Sequence, residues 1–149
     1  MALNIFVDGD ACPVKDEVYR VASRTGVPVT VVANNGLRMP RDPLISLVIV
    51  DDKADAADDY IAERAGVTSI VITADIPLAA EVVANGGQAL DPRGELYTDA
   101  NIGERLAVRN LFDELRGGGQ ITGGPSNFTA KDRQAFANQL DRWLTASKG

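Results

Sequence analysis

The chain reads as an α/β domain: a three-layer sandwich around a mainly parallel sheet of roughly five strands, followed by two longer carboxyl-terminal helices. Three observations lead there. Short apolar runs alternate with helical patterns along residues 3–90, and the connections between them are short. The apolar runs are also too continuous for strands that keep one face in water. With 149 residues there is enough chain for one sizeable core and little for a second, so a single domain over 1–149 is expected.

The elements follow in order. Leu3-Asn4-Ile5-Phe6-Val7 is the first buried strand. Pro13 suits a first helical position, and Val14, Val18, Val21 and Ala22 repeat at helical spacing until Gly26. Val27–Ala33 is rich in β-branched residues, and residues 34–43 form a turn-rich loop. Leu44–Val50, interrupted only by Ser46, is the next strand and ends at Asp51-Asp52. Ala54–Ala65 carries Ala57, Ile61 and Ala65 on one helical stripe, and Gly66 closes it. Thr68–Thr73 is a strand, Asp75–Ala84 a helix ended by Asn85-Gly86-Gly87, and Gln88–Leu90 a short strand. Beyond Asp91-Pro92-Arg93-Gly94 the pattern changes to a helix over 99–116 and another over 129–145, the second opened by Thr129 and Asp132 at capping-box spacing. The segment 117–125 holds five glycines but lacks the Gly-Lys-Ser/Thr ending of a P-loop, so it is a linker between those helices.

Composition removes whole classes of chemistry. Histidine is absent, and with it triads, His–Cys dyads, zinc fingers and histidine general bases. One cysteine, Cys12, excludes an internal disulfide. No apolar stretch reaches the 18 residues of a membrane span, and the opening residues lack the basic region of a signal peptide, so a cytoplasmic location is expected. The net charge of −6, from 21 acids and 15 bases, is the wrong sign for a nucleic-acid binder. Acids gathered around metal change that: six carboxylates facing two divalent ions leave a net charge of only about −2.

The acids do fall where such a site would form. Asp8 and Asp10 follow the first strand, Asp51-Asp52 the third, Asp75 the fourth and Asp91 the fifth, the end at which open α/β sheets bind ligands. Asp55, Asp58 and Asp59 lie in the first turns of a helix, where 58 and 59 are about 100° apart and only one can aim at a common centre. Each has a plain reading as a helix cap or a solvated charge. Together on one edge they would repel one another unless a hard cation, Mg2+ or Mn2+, neutralised them.

Val7-Asp8-Gly9-Asp10-Ala11-Cys12-Pro13-Val14-Lys15, Val32-Ala33-Asn34 with Leu37-Arg38-x-Pro40, and Asp55-Ala56-Ala57-Asp58-Asp59-Tyr60-Ile61 resemble the YaiI/YqxD family of small bacterial proteins. So do Val71-Ile72-Thr73-Ala74-Asp75-Ile76-Pro77-Leu78-Ala79, Asp91-Pro92-Arg93-Gly94-Glu95, Asn101-Ile102-Gly103 and Gly123-Gly124-Pro125. More distantly, the layout is similar to PIN-like and NYN-type ribonucleases, which place an Asp after the first strand, Asp-Asp-x-Ile on a helix and Ser/Thr-x-Asp after the next strand. That likeness implies Asp8, Asp58, Asp59 and Asp75 as metal-binding carboxylates, with Asp10 an added ligand or water-positioning group. Asp8, Asp10, Asp58 and Asp75 are then the catalytic candidates, in metal-assisted hydrolysis of RNA or another phosphodiester.

Lys15, Arg38, Arg41 and Arg93 are candidate phosphate contacts, with Asn34 beside them as a substrate-binding residue. Their plain reading is as solvated surface groups. Phe6 and Tyr60 are core residues rather than stacking platforms. Many PIN-like proteins pair, which leaves monomer and homodimer both open.

Two other classes compete. Asp8-x-Asp10 after an apolar strand also opens phosphatases with an aspartate nucleophile, but no lysine lies between Lys53 and Lys131 to complete that set. A non-catalytic binding module of the same fold is the other. Cys12, ahead of a helix, is either an activated thiol or a buried small hydrophobe; with no histidine as base, burial is the expectation.

Overall fold

Alternation along the strands decides the architecture. In β1 (Asn4–Asp8), Ile5 and Val7 join one hydrophobic core and Phe6 the other. β4 (Ser69–Ile72) repeats this, with Ile70 and Ile72 in the first core and Val71 in the second. Strands buried on both faces need helices on both faces. The first core is closed by α1 (Lys15–Thr25) and α5 (Ala130–Lys148), through Val18, Val21, Phe136, Leu140 and Leu144. The second is closed by α2 (Ala56–Arg64) and α3 (Ile76–Ala84), through Ile61, Leu78 and Val82. α4 (Asp99–Gly117) packs on α3 and adds Ile102.

The computed structural model describes residues 3–53, 55–117 and 128–148. Among these, β2 (Val29–Ala33), β3 (Ile45–Ile49), β5 (Gln88–Leu90) and β6 (Leu96–Tyr97) complete a six-stranded sheet in the order β3-β2-β1-β4-β5-β6. All pairings are parallel except β5 with β6. The three-layer sandwich is as expected; the sixth strand is an addition. Two residues between a turn and a helix carry no period that a sequence pattern can register.

The first helix also starts later than expected, at Lys15 and not Pro13, because a single 3-10 turn, Gly9–Ala11, intervenes and leaves Cys12 extended. The last two helices run slightly longer than the expected spans, to Gly117 and Lys148. The glycine segment after Gly117 lies outside the described residues. Thr129 and Asp132 form the anticipated reciprocal cap, each backbone N–H donating to the other's side chain at 3.0 and 3.1 Å. Thr98 and Asn101 do the same for α4. Among the described residues no helix is long and apolar enough to cross a membrane.

Candidate functional site

Strand order reverses between β1 and β4. The helices that follow these two strands depart to opposite faces, α1 to the first core and α3 to the second, so their carboxyl ends open into a crevice. A cavity of about 220 Å3 lies there. Five carboxylates line it, from Asp8, Asp10, Asp51, Asp58 and Asp75, with Asn34, Lys53 and Ala57 completing the wall.

Each group arrives by a local rule. Asp8 is the last residue of β1, and the chain then folds against β2 so tightly that a Cβ on Gly9 would lie 2.7 Å from Val31 Cγ1. This close turn places Asp10 under the end of β2, where its two carboxylate oxygens accept the Asn34 N–H at 3.2 and 3.0 Å. Asp75 caps α3 by accepting the Leu78 N–H at 3.0 Å, and it lines the cavity as well. Asp58 lies in the first turn of α2 and lines the cavity, while Asp59 is exposed and does not.

Thr73 joins the two flanking strands. Its hydroxyl donates to Asp8 Oδ2 at 3.1 Å and accepts the Asp75 N–H at 3.0 Å, while its carbonyl accepts from the Tyr97 hydroxyl at 3.3 Å. Thr73 was not among the expected site residues, although the Thr73-x-Asp75 spacing carried its signal. Asp51 was expected at this edge but not among the named ligands, and Lys53 was missed, because it sits in a loop whose path no local pattern fixes.

The electrostatics are those of crowded, unneutralised acids. Asp8 is pushed above the usual carboxylate range by burial, opposed by the Thr73 hydroxyl and reinforced by Asp75 and Asp10. Asp58 is pushed up to about 7, first by burial, then by Asp75 and Asp8, by a hydrogen bond shared with Asp75, and by Asp55. Lys53 is the one cation on the wall among the described residues, and it forms no ion pair with these acids. The donor set is all oxygen, which suits Mg2+ or Mn2+. Among the described residues, however, no three of these side chains are gathered closely enough to hold an ion as they stand.

The remaining candidates lie elsewhere. Lys15 donates to the carbonyls of Gly9 and Cys12 at 3.0 and 3.3 Å and braces the turn behind the cavity. Arg38 is exposed and not on the wall. Arg41 adjoins Asp42, whose carboxylate bonds Ser23 late in α1 and the Leu44 N–H just before β3, so it sits at the opposite, amino-terminal edge of the sheet. Arg93 pairs with Asp132 at 2.8 Å and fastens the β5–β6 turn to α5. Asp91 is buried within that same turn and is bonded to Arg105. Cys12 is buried, and burial pushes its thiol up to about 11, which disposes of an activated thiolate. Phe6 is in the core, and Tyr60 lies partly buried under the Arg64 guanidinium, 3.6 Å from the ring centre.

No solved structure matches the chain. It is similar to a UPF0178 protein of Paraburkholderia phytofirmans, 54% identical over 98% of this chain and 90% of the relative. One from Geobacter metallireducens is 53% identical over 96% of this chain and 94% of the relative, and one from Psychromonas ingrahamii is 52% identical over 98% of both. The model of an uncharacterized bacterial family, YaiI/YqxD, matches residues 6–146, so the chain belongs to the YaiI/YqxD family.

Proposed function

We propose that the protein is a Mg2+- or Mn2+-dependent phosphodiester hydrolase acting on RNA or a related phosphodiester, with Asp8, Asp10, Asp58 and Asp75 carrying the chemistry. One observation supports it above the others: five carboxylates from four separate chain segments line one cavity at the point where strand order reverses. Asp8, Asp58 and Asp75 are the groups that would hold a cation, and their mutual repulsion is the force that favours one. A bound ion would act as a Lewis acid and make hydroxide available near neutral pH. Thr73 fixes the rotation of the Asp8 carboxylate, and Asp10 braced by Asn34 is left to orient water at the mouth. Lys53 supplies the positive charge that meets a phosphate on an otherwise acidic wall.

The test is cleavage of single-stranded RNA and DNA with Mn2+ and with chelator, with Asp8→Asn in parallel. Mn2+-dependent cleavage reduced about a hundredfold or more by Asp8→Asn is expected. Metal-independent binding that survives Asp75→Asn, with no cleavage, would instead establish a binding module.

A further inference from the structure

We infer that Asn35 is a site of spontaneous covalent modification, its side-chain amide converted to a carboxylate through attack by the main-chain nitrogen of Gly36. The chemistry is intramolecular. The Gly36 nitrogen, having given its proton to water, attacks Asn35 Cγ. A C–N bond closes a five-membered imide, the Cγ–Nδ2 bond breaks, and ammonia leaves with a proton taken from water. Water then opens the imide at either carbonyl, giving aspartate, or isoaspartate with the main chain running through Cβ. No oxidant, metal or enzyme enters the balance, so this reactivity does not depend on the hydrolase reading. The attack is easiest where the following residue has no side chain. Of the eight asparagines in the chain, six precede a residue with a side chain, and only Asn35 and Asn85 precede glycine.

The fold separates these two pairs, although both are exposed. Asn85 ends α3 with φ −89° and ψ 7°, and its own N–H is held by the Glu81 and Val82 carbonyls at 3.1 and 3.2 Å. The nitrogen that would attack there, on Gly86, donates to the Val83 carbonyl at 3.1 Å, and Gly87 beyond it donates to the Val82 carbonyl at 3.0 Å. Freeing it means opening the end of the helix. Asn35 lies in the loop that leaves β2, outside any helix or strand. Among the described residues the Gly36 N–H has no hydrogen-bond partner, and a Cβ on Gly36 would meet nothing within 4 Å. The Asn35 side chain makes one bond, from Nδ2 to Asn34 Oδ1 at 2.8 Å, and it is exposed, so water readily replaces it. The place gives the change a consequence, because Asn34 lines the cavity and its N–H holds the Asp10 carboxylate. Either product sets a new negative charge beside Asn34. The isoaspartate form also lengthens the main chain by one carbon between Asn34 and Leu37, whose Cδ1 lies 3.3 Å from where a Gly9 Cβ would be.

The test is peptide mapping of the full chain over time at about pH 7.5 and about 37 °C, folded and in guanidinium chloride. Trypsin puts the two pairs on separate peptides, 25–38 and 65–93, and each conversion adds about 1 Da. Unfolded, the two peptides should convert at similar rates. In the folded chain 25–38 should convert within about fivefold of its unfolded rate, and 65–93 at least about tenfold more slowly than its own. Fragmentation should place the change on Asn35 and not on Asn34, as a mixture of aspartate and isoaspartate. Gly36→Ala should slow the change at least about tenfold with an unchanged melting temperature, since the added methyl group hinders the attack but meets nothing in the fold. A fall of more than about fivefold at 25–38 on folding overturns the inference, as does a folded chain in which 65–93 converts as fast as 25–38. So does a change assigned to Asn34, or one that Gly36→Ala leaves untouched.

Discussion

Asp75 and Asp91 follow neighbouring parallel strands, yet the fold treats them in opposite ways. Asp91 is buried and fully employed: its carboxylate accepts the backbone N–H groups of Arg93 and Glu95 at 2.8 and 3.1 Å and pairs with Arg105 at 3.0 Å. Arg105 in turn lies over the Tyr97 ring, 4.1 Å from its centre. Asp75, by contrast, accepts a single backbone N–H, from Leu78 at 3.0 Å, is crowded by Asp58, and among the described residues has no cation paired with it. A strand-end aspartate is thus structural where the next turn brings its own donors and a cation. Where the next turn brings further carboxylates, their charge is left unneutralised by the described side chains and burial and repulsion push Asp58 up to about 7.

The sharpest way to break that contrast is to remove the satisfied acid. Asp91→Ala leaves Arg105 with only the more distant Glu95 carboxylate, 3.9 Å away, and opens the β5–β6 turn, so a loss of about 3–5 kcal/mol in chemical denaturation is expected. A loss under about 1 kcal/mol would mean that Asp91 is no more structural than the cavity acids. Gly94→Ala strikes the same turn with no change in charge. Gly94 holds φ at +91°, and a Cβ there would come within 2.8 Å of the Ala135 and Phe136 backbone of α5. Strain and the displaced helix together should cost about 2–4 kcal/mol, and native-like melting in this variant would contradict the close approach.

Much of the fold was legible in the sequence, and less of that contrast, for a physical reason. Strands such as Ile5-Phe6-Val7 are apolar on both faces only if helices cover both faces, and the fold class follows. The angle between successive helical residues already allowed only one of Asp58 and Asp59 to face the centre, and Asp58 does. Asp91 and Asp75 could not be told apart, because what separates them is Arg105, fourteen residues beyond Asp91 on another element. Arg93 and Arg41 misled in the same way. Arg93 is bound by Asp132 across 39 residues, and Arg41 rides a loop that must return from the carboxyl end of β2 to the amino end of β3. Local patterns fix periodicity and caps; they do not fix which distant cation reaches which acid.

On the cavity side the expected changes are smaller and opposite in sign. Asp58→Asn removes a carboxylate crowded by Asp75 and Asp8, so in chelator it should raise the melting temperature by about 3 °C, corresponding to about 1 kcal/mol once solvent screening is allowed for. Asp8→Asn should give a smaller rise, since the Thr73 hydroxyl already offsets part of its burial. On the proposed metal-dependent reading, Mn2+ should reverse the order: the parent should gain stability from a ligand that binds only the folded state, and both variants should lose most of that gain. Melting temperatures lower than the parent in chelator, with a full Mn2+ response, would sink the repulsion argument.

The smallest effect is also the most specific. Asp58 has a folded-state value raised to about 7 from an ordinary 3.8, so between those limits the folded chain holds a proton that the unfolded chain has released. Stability from this group is therefore full below about pH 4 and is lost as pH rises toward 7. Titrating groups away from the cavity being common to the two proteins, the difference in melting temperature between Asp58→Asn and the parent reports Asp58 together with the acids coupled to it. That difference should be close to zero at pH 4.5 and widen to about 3 °C by pH 7.5, measured in chelator. A gap that stays constant with pH would assign the gain to packing of the amide, and one that narrows would require Asp58 to be stabilised as the anion, by a cation the cavity does not otherwise reveal.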